Sequence, residues 1–252
     1  MINRDALALY LNEYLACNSF NDYAPNGIQV EGRDAINRIC TAVTASHEAI
    51  TKAISLKADA LLVHHGYFWR GEDPVIVGMK RQRIGQLIKH DLNLFAYHLP
   101  LDCHSELGNN ACLGQLLELD DIKTHAAGKT PNLLWSGMLS TPMTTTELSH
   151  VLSQKLQREP LCVSGSTKPI QRLAWCSGGA QDFIEDAYRL GVDAYISGEI
   201  SERTYYQAQE FGIHYFACGH HATERYGIQA LGQHLSTKFG VQHQFIDSAN
   251  PV

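Results

Sequence analysis

The strongest constraint on this chain is a pattern that occurs twice. Thr41-Ala-Val-Thr-Ala-Ser46, a helical stretch and Lys57-Ala-Asp-Ala-Leu-Leu-Val-His-His-Gly66 come first. Leu173-Ala-Trp-Cys-Ser-Gly178, a helical stretch and Gly191-Val-Asp-Ala-Tyr-Ile-Ser-Gly-Glu199 follow much later. A third pair, Leu94–Tyr97 and Tyr215–Cys218, completes each run. Short continuous apolar runs read as strands buried on both faces, and their alternation with helices implies parallel sheets covered by helices. The expectation is an α/β fold: two similar α/β units from an internal duplication, with a repeat offset of roughly 120–135 residues. The first unit is placed at residues 1–128 and the second at 129–252, leaving open whether the segment near Gln244–Asp247 returns to the first sheet.

Local signals fill in the pattern. Leu7, Tyr10, Leu11, Tyr14 and Leu15 form a stripe at helical spacing, with Asn3 available as a cap. Asp22-Tyr-Ala-Pro-Asn-Gly27 is a turn-rich loop. Thr144 and Glu147 form a capping box that opens a helix to about Leu156. Leu133–Leu139 reads as a strand, and Pro100 argues against a simple helix after His98.

Composition excludes several function classes. A net charge of −6 argues against sequence-independent nucleic-acid binding, which needs a basic surface. The one basic cluster, Arg70, Lys80, Arg81 and Arg83, reads as a solvated helix face. No apolar run approaches the roughly 20 residues that cross a bilayer, and Met1–Cys17 lacks the order of a signal peptide. The seven cysteines are scattered with no CxxC pair, which suits reduced thiols in the cytoplasm and disfavours a cysteine zinc site.

Ligands of open α/β sheets bind beyond the carboxyl ends of the strands, and the polar clusters of this chain fall at such ends. In His64-His65-Gly66 the two imidazoles leave a strand on opposite faces and share a cavity only if the chain turns, a freedom assigned to Gly66. The plainer alternative is a core histidine beside a surface one. In His98-Leu-Pro-Leu-Asp102 the carboxylate supplies negative charge that imidazoles lack, or else caps the next helix. In His220-His221-Ala-Thr-Glu224 the spacing of four puts His220 and Glu224 on one helical face. Together, His64, His65, Asp102, His220 and Glu224 make a mixed N/O donor set for two divalent metal ions, of the Zn, Mn, Fe, Co or Ni kind rather than Ca or Mg. Glu224 is the candidate bridging ligand. His98 and His104 are candidate hydrogen-bond partners or substrate contacts, and Glu199 and Glu202 are weaker cavity candidates. Cys176-Ser-Gly-Gly179 loosely resembles a phosphate-cradling turn, and Tyr67-Phe68-Trp69 reads as an apolar wall or a subunit contact.

Asp22-Tyr-Ala-Pro-Asn-Gly-Ile-Gln-Val-Glu-Gly32, Val63-His-His-Gly-Tyr-Phe68, His98–Asp102, Gly108-Asn-Asn110 and Gly219–Glu224 resemble the GTP cyclohydrolase 1 type 2 homolog family, also called Nif-three-like dinuclear metal proteins. The resemblance spans about residues 1–250 and is to the short bacterial type. It implies a two-part α/β fold with a two-metal site between the units, ligated at the positions of His64, His65, Asp102, His220 and Glu224. It also implies a toroidal homohexamer. The family name does not establish a reaction.

The expected function is a metal-dependent hydrolase acting on a nucleotide or other small polar substrate, with Glu224 and His98 as candidate catalytic residues. The alternatives are a non-catalytic metal-binding chaperone or regulatory scaffold, and a ring-shaped nucleic-acid processing protein.

Overall fold

A strand covered on both faces carries apolar side chains at consecutive positions, and Ala60-Leu-Leu-Val63 is such a run, fully buried. The computed structural model describes all 252 residues. The chain forms two compact units: Met1–Gly108 with Gly227–Ala249, and Asn109–Tyr226 with Asn250–Val252.

The first segment carries β1 (Ile2–Asn3), α1 (Arg4–Tyr14), β2 (Gly27–Val30), β3 (Ala35–Ile36), β4 (Arg38–Thr44) and α2 (His47–Ser55). It continues with β5 (Ala60–His65), α3 (Gly78–Lys89), β6 (Asn93–Ala96) and α4 (Leu99–Cys103). The second unit adds α5 (Asn109–Leu116), β7 (Asp120–Ala127), β8 (Thr130–Met143), α6 (Thr145–Leu156), β9 (Leu161–Val163) and β10 (Ile170–Trp175). Then come α7 (Ile184–Arg189), β11 (Ala194–Ser197), α8 (Glu202–Phe211), β12 (His214–Ala217) and α9 (His220–Thr223). Helix α10 (Arg225–Phe239) carries the chain back to the first unit, where β13 (Gln242–Phe245) follows.

In the first unit the sheet order is β13-β4-β5-β6-β2. All neighbours are parallel except β2, which runs antiparallel to β6. Residues alternate between two apolar layers, as the strand period of two requires. Leu61, Val63, Leu94 and Ala96 pack with Ile50, Ala53, Ile84 and Leu87 of α2 and α3. Ala60, Leu62, Phe95 and Tyr97 pack with Leu7, Leu11, Ile228 and Leu231 of α1 and α10. Asn3 caps α1 by accepting from the Asp5 and Ala6 amides, so the sequence-level cap is realised.

The histidines packed in this unit give a pH prediction. His243 of β13 shares a 2.8 Å hydrogen bond with the buried Thr41 hydroxyl, and burial pulls its pKa below the ordinary 6.5. Burial likewise lowers His104 and His234. A histidine with a lowered folded pKa takes up its proton more readily in the unfolded chain. Its contribution to stability is therefore complete above about 6.5 and is lost as pH falls through the lowered folded value. The thermal midpoint should drop between pH 7.5 and pH 5, and His243→Gln should show a shallower drop. An equal slope in the variant would remove His243 from the acid response.

In the second unit the order is β7-β8-β10-β11-β12-β9, with β10, β11 and β12 parallel and β8 and β9 antiparallel beside them. Leu173, Trp175, Ile196 and Phe216 pack with Leu148, Leu152 and Leu156 of α6, whose expected Thr144–Glu147 capping box forms reciprocally. Gly128 and Lys129, both at positive φ, join β7 to β8, the twist-matched geometry of a tight hairpin.

Two expectations change. A boundary at 128/129 would fall inside the β7–β8 turn, because β7 pairs with β8 in the second sheet. Residues from Asn109 onward therefore belong to the second unit, and 227–249 return to the first through β13 beside β4. Pro100 does not prevent a helix: it lies in the first turn of α4, where a missing amide hydrogen removes no intrahelical bond. No helix is long and apolar enough to cross a membrane.

Candidate metal centre

A histidine offers a metal one ring nitrogen when the other is held by an oxygen of the chain, which fixes the tautomer and the ring orientation. In the first unit His64 and His65 end β5, with ring centroids 4.5 Å apart. His64 is fully buried, and its Nδ1 donates to the Tyr97 carbonyl at 3.0 Å. Its Nε2 lies 3.5 Å from Oδ1 of Asp102, itself buried in α4. His65 Nδ1 lies 3.3 Å from the Thr44 hydroxyl on the neighbouring strand. The two rings approach although both residues lie within the strand. Gly66 is not in the left-handed region. What demands glycine there is close approach, since a Cβ would meet Gln29 Oε1 at 2.2 Å and Ala96 Cβ at 2.6 Å.

His98, just beyond β6, joins this group. Its ring is 5.1 Å from that of His64 and 5.9 Å from that of His65, and one ligand atom from each of the three lies within 4.8 Å of the others. Its Nδ1 is 2.7 Å from Oδ1 of Asp22. Trp69 stands edge-on to His98, with centroids 5.0 Å apart, and its indole N–H donates to the Gly66 carbonyl. Phe68 before it holds a φ of +65°, a costly conformation for a bulky residue, so the turn that sets Trp69 beside His98 is strained.

In the second unit Gly219, at φ +94°, turns the chain from β12 into α9. His220 Nε2 then lies 3.3 Å from Oε2 of the buried Glu224, and His220 Nδ1 lies 2.7 Å from Oε1 of Glu199. Burial alone would lower the His220 pKa. The hydrogen bonds and charges of Glu224 and Glu199 outweigh it and push the value up to about 9. Two carboxylates around one imidazole thus favour positive charge at this position.

Gly178 backs this pair. A Cβ there would lie 2.2 Å from Glu224 Oε1 and 3.0 Å from His220 Nε2. The Ser177 amide donates to Asn110 Oδ1 and the Gly178 amide to Thr223 Oγ1, so these donors are already engaged. This corrects the phosphate-cradle reading of Cys176–Gly179: the glycine makes room for a carboxylate.

The donor set fits divalent metal. His64, His98 and His220 each turn Nδ1 to a carbonyl or carboxylate oxygen, and His65 turns its Nδ1 to a hydroxyl. Nε2 is then the nitrogen that each of the four could offer to a metal ion or a proton. Asp102 and Glu224 are buried carboxylates facing imidazoles, and burying such charge is costly without a cation or strong hydrogen bonds. His104 goes elsewhere: it packs on Tyr14, and its Nδ1 accepts from the Glu106 and Leu107 amides. Ser46 caps α2, and Lys80 of the basic cluster pairs with Glu72. Sequence reasoning missed Asp22. The segment that holds it, Asp22–Gly32, read as a turn and carried part of the family resemblance, but nothing local gave Asp22 itself a role.

A family model described as Duf34/NIF3 (NGG1p interacting factor 3) matches residues 2–251. Curated relatives named GTP cyclohydrolase 1 type 2 homolog include one from Vibrio cholerae, 52% identical over 253 residues and covering 100% of both chains. Another, from Allochromatium vinosum, is 50% identical over 246 residues, covering 98% of this chain and 96% of its own. Among solved structures, the structural-genomics protein ybgI, of unknown function, aligns with a TM-score of 0.95 at 46% identity, covering 100% of both chains. TTHA1606 from Thermus thermophilus aligns at 0.88 and 30% identity, again over 100% of both. The chain therefore belongs to the Duf34/NIF3 family.

Proposed function

We propose that this protein holds two divalent transition-metal ions and uses them to hydrolyse a small polar substrate of the nucleotide kind. The observation that carries the reading is the shared orientation of four imidazoles, each with Nδ1 on a chain oxygen, and the buried carboxylates Asp102 and Glu224 that lie beside Nε2 of His64 and His220. His64, His65 and Asp102 from the first unit and His220 and Glu224 from the second would supply one dinuclear site, the carboxylates adding the charge that neutral imidazoles lack. The two units, each with three parallel strands in sequence order and an antiparallel strand beside the third, are read as copies of one ancestral unit. Bound metal ions supply Lewis acidity and acidify water. His98 Nε2 would be the group that takes up a proton, with Trp69 edge-on to its ring at 5.0 Å. The relatives' name, GTP cyclohydrolase 1 type 2 homolog, suggests a purine nucleotide as the first substrate to try. The resemblance also suggests a homohexamer, which light scattering on the purified protein would test.

Elemental analysis of protein purified without chelator tests the metal reading. About two transition-metal ions per chain are expected for the wild type, and clearly fewer for Glu224→Ala, since loss of one ligand weakens a site at least as much as the roughly 10–100-fold cost of an outer partner. No bound metal after reconstitution with Zn²⁺, Mn²⁺ and Fe²⁺ would overturn it.

A further inference from the structure

Asp22 is a nearly buried carboxylate, with its side chain 4% exposed, in a loop that contributes none of the metal donors assigned above. It faces four donors. Oδ1 accepts from the Tyr23 amide at 2.6 Å and meets His98 Nδ1 at 2.7 Å. Oδ2 accepts from Asn26 Nδ2 at 2.8 Å and from the Leu99 amide at 2.9 Å. Asn26 completes the clamp, its Oδ1 accepting from the His98 amide at 2.7 Å. Burial would raise the Asp22 pKa, but the hydrogen bonds from His98, Asn26 and Tyr23 hold it below its ordinary value, so the group is an acceptor at neutral pH. Arg70 ties the same loop down through the Asn21 side chain and the Asp22 carbonyl.

We propose that Asp22 is a positioning residue that holds His98 in the tautomer with hydrogen on Nδ1, leaving Nε2 as an acceptor beside His64 and His65. Three of the four donors around Asp22 are amide N–H groups, which can only donate. His98 Nδ1 can exchange donation for acceptance by moving its hydrogen to the other nitrogen, whereas Asn26 could do so only by flipping its amide and giving up the bond from the His98 amide to its Oδ1. An amide at position 22 brings two hydrogens into a site built for acceptance. If its nitrogen takes the Oδ2 place, it opposes Asn26 and Leu99. If it takes the Oδ1 place, it opposes Tyr23, while His98 escapes by turning Nδ1 into an acceptor, which puts the hydrogen on Nε2. The second arrangement strands fewer donors. Asp22→Asn therefore blocks Nε2 with a hydrogen while leaving the imidazole in place. The inference rests on the role given to His98 above, and it extends the site by a carboxylate from a different loop.

The test is ¹⁵N NMR of histidine-labelled, zinc-reconstituted full-length protein, with His98→Gln to assign the signals. In the wild type, His98 is expected to show protonated Nδ1 and bare Nε2, and in Asp22→Asn the reverse. Metal content is measured on the same samples. A bare Nδ1 on His98 in the wild type overturns the proposal without any variant, as does an unchanged tautomer in a folded Asp22→Asn protein. The expected tautomer in protein that binds no metal would sink the metal reading and leave the Asp22–His98 pair standing. The wrong tautomer in fully loaded protein would do the opposite.

Discussion

Gly178→Ala protein is expected to fold and to lose about 10–100-fold in affinity for zinc, as changes to groups that orient metal ligands typically do. The added methyl would lie 2.2 Å from Glu224 Oε1, far inside contact distance, and the backbone there has a φ of +68°, which an L side chain adopts at a cost. Glu224 must move, and with it the partner of His220. Gly179→Ala is the control. Its Cβ would come no nearer than 3.5 Å to Glu199, an ordinary contact, so its affinity should match the wild type. Competition with a chromophoric chelator measures both. Wild-type affinity in Gly178→Ala would mean that Glu224 is not needed where it stands.

The second large effect concerns stability. Gly232→Ala in α10 places a Cβ 2.1 Å from Nε2 of His243. Alanine gains about 1 kcal/mol over glycine in helix propensity. Overpacking costs about 1–3 kcal/mol, and breaking the bond to the buried Thr41 hydroxyl adds about 1–3 kcal/mol. The losses win, leaving the variant roughly 2 kcal/mol less stable and lowering its midpoint by about 4–8 °C. Gly85→Ala in α3, where nothing lies within 4 Å of the new Cβ, isolates the propensity effect and should stabilise slightly. Calorimetry of both, with Gly232→Ala/His243→Ala expected to recover part of the loss, decides the matter. A stabilised Gly232→Ala would show that His243 yields freely.

The sequence made legible what depends on local periodicity and chemistry. The buried strands around Leu61 and Ala194, the Asn3 and Thr144 caps and the His220–Glu224 spacing follow from rules that act over a few residues. The hidden features depend on residues far apart in the chain. Asp22 meets His98 across 76 positions, and β13 pairs with β4 across about 200, so neither leaves a local trace. Pro100 misled because the same residue breaks a helix interior and suits its first turn. Gly178 misled because a glycine that admits a phosphate and one that admits a carboxylate look alike until the amides are followed to their acceptors.

The return of α10 and β13 to the first unit bears on how the chain is made. At a synthesis rate of about 5–20 residues per second, residue 249 emerges roughly 7–28 s after residue 108. For that interval the first sheet lacks the strand that flanks β4, and Leu7, Leu11 and Phe95 lack the Ile228 and Leu231 side chains that cover them. Nearly all of the second unit, by contrast, is continuous in the chain. The part begun first is thus completed only after nearly all of the second has been made, and its nascent form presents an uncovered apolar layer to the chaperones that meet the emerging chain.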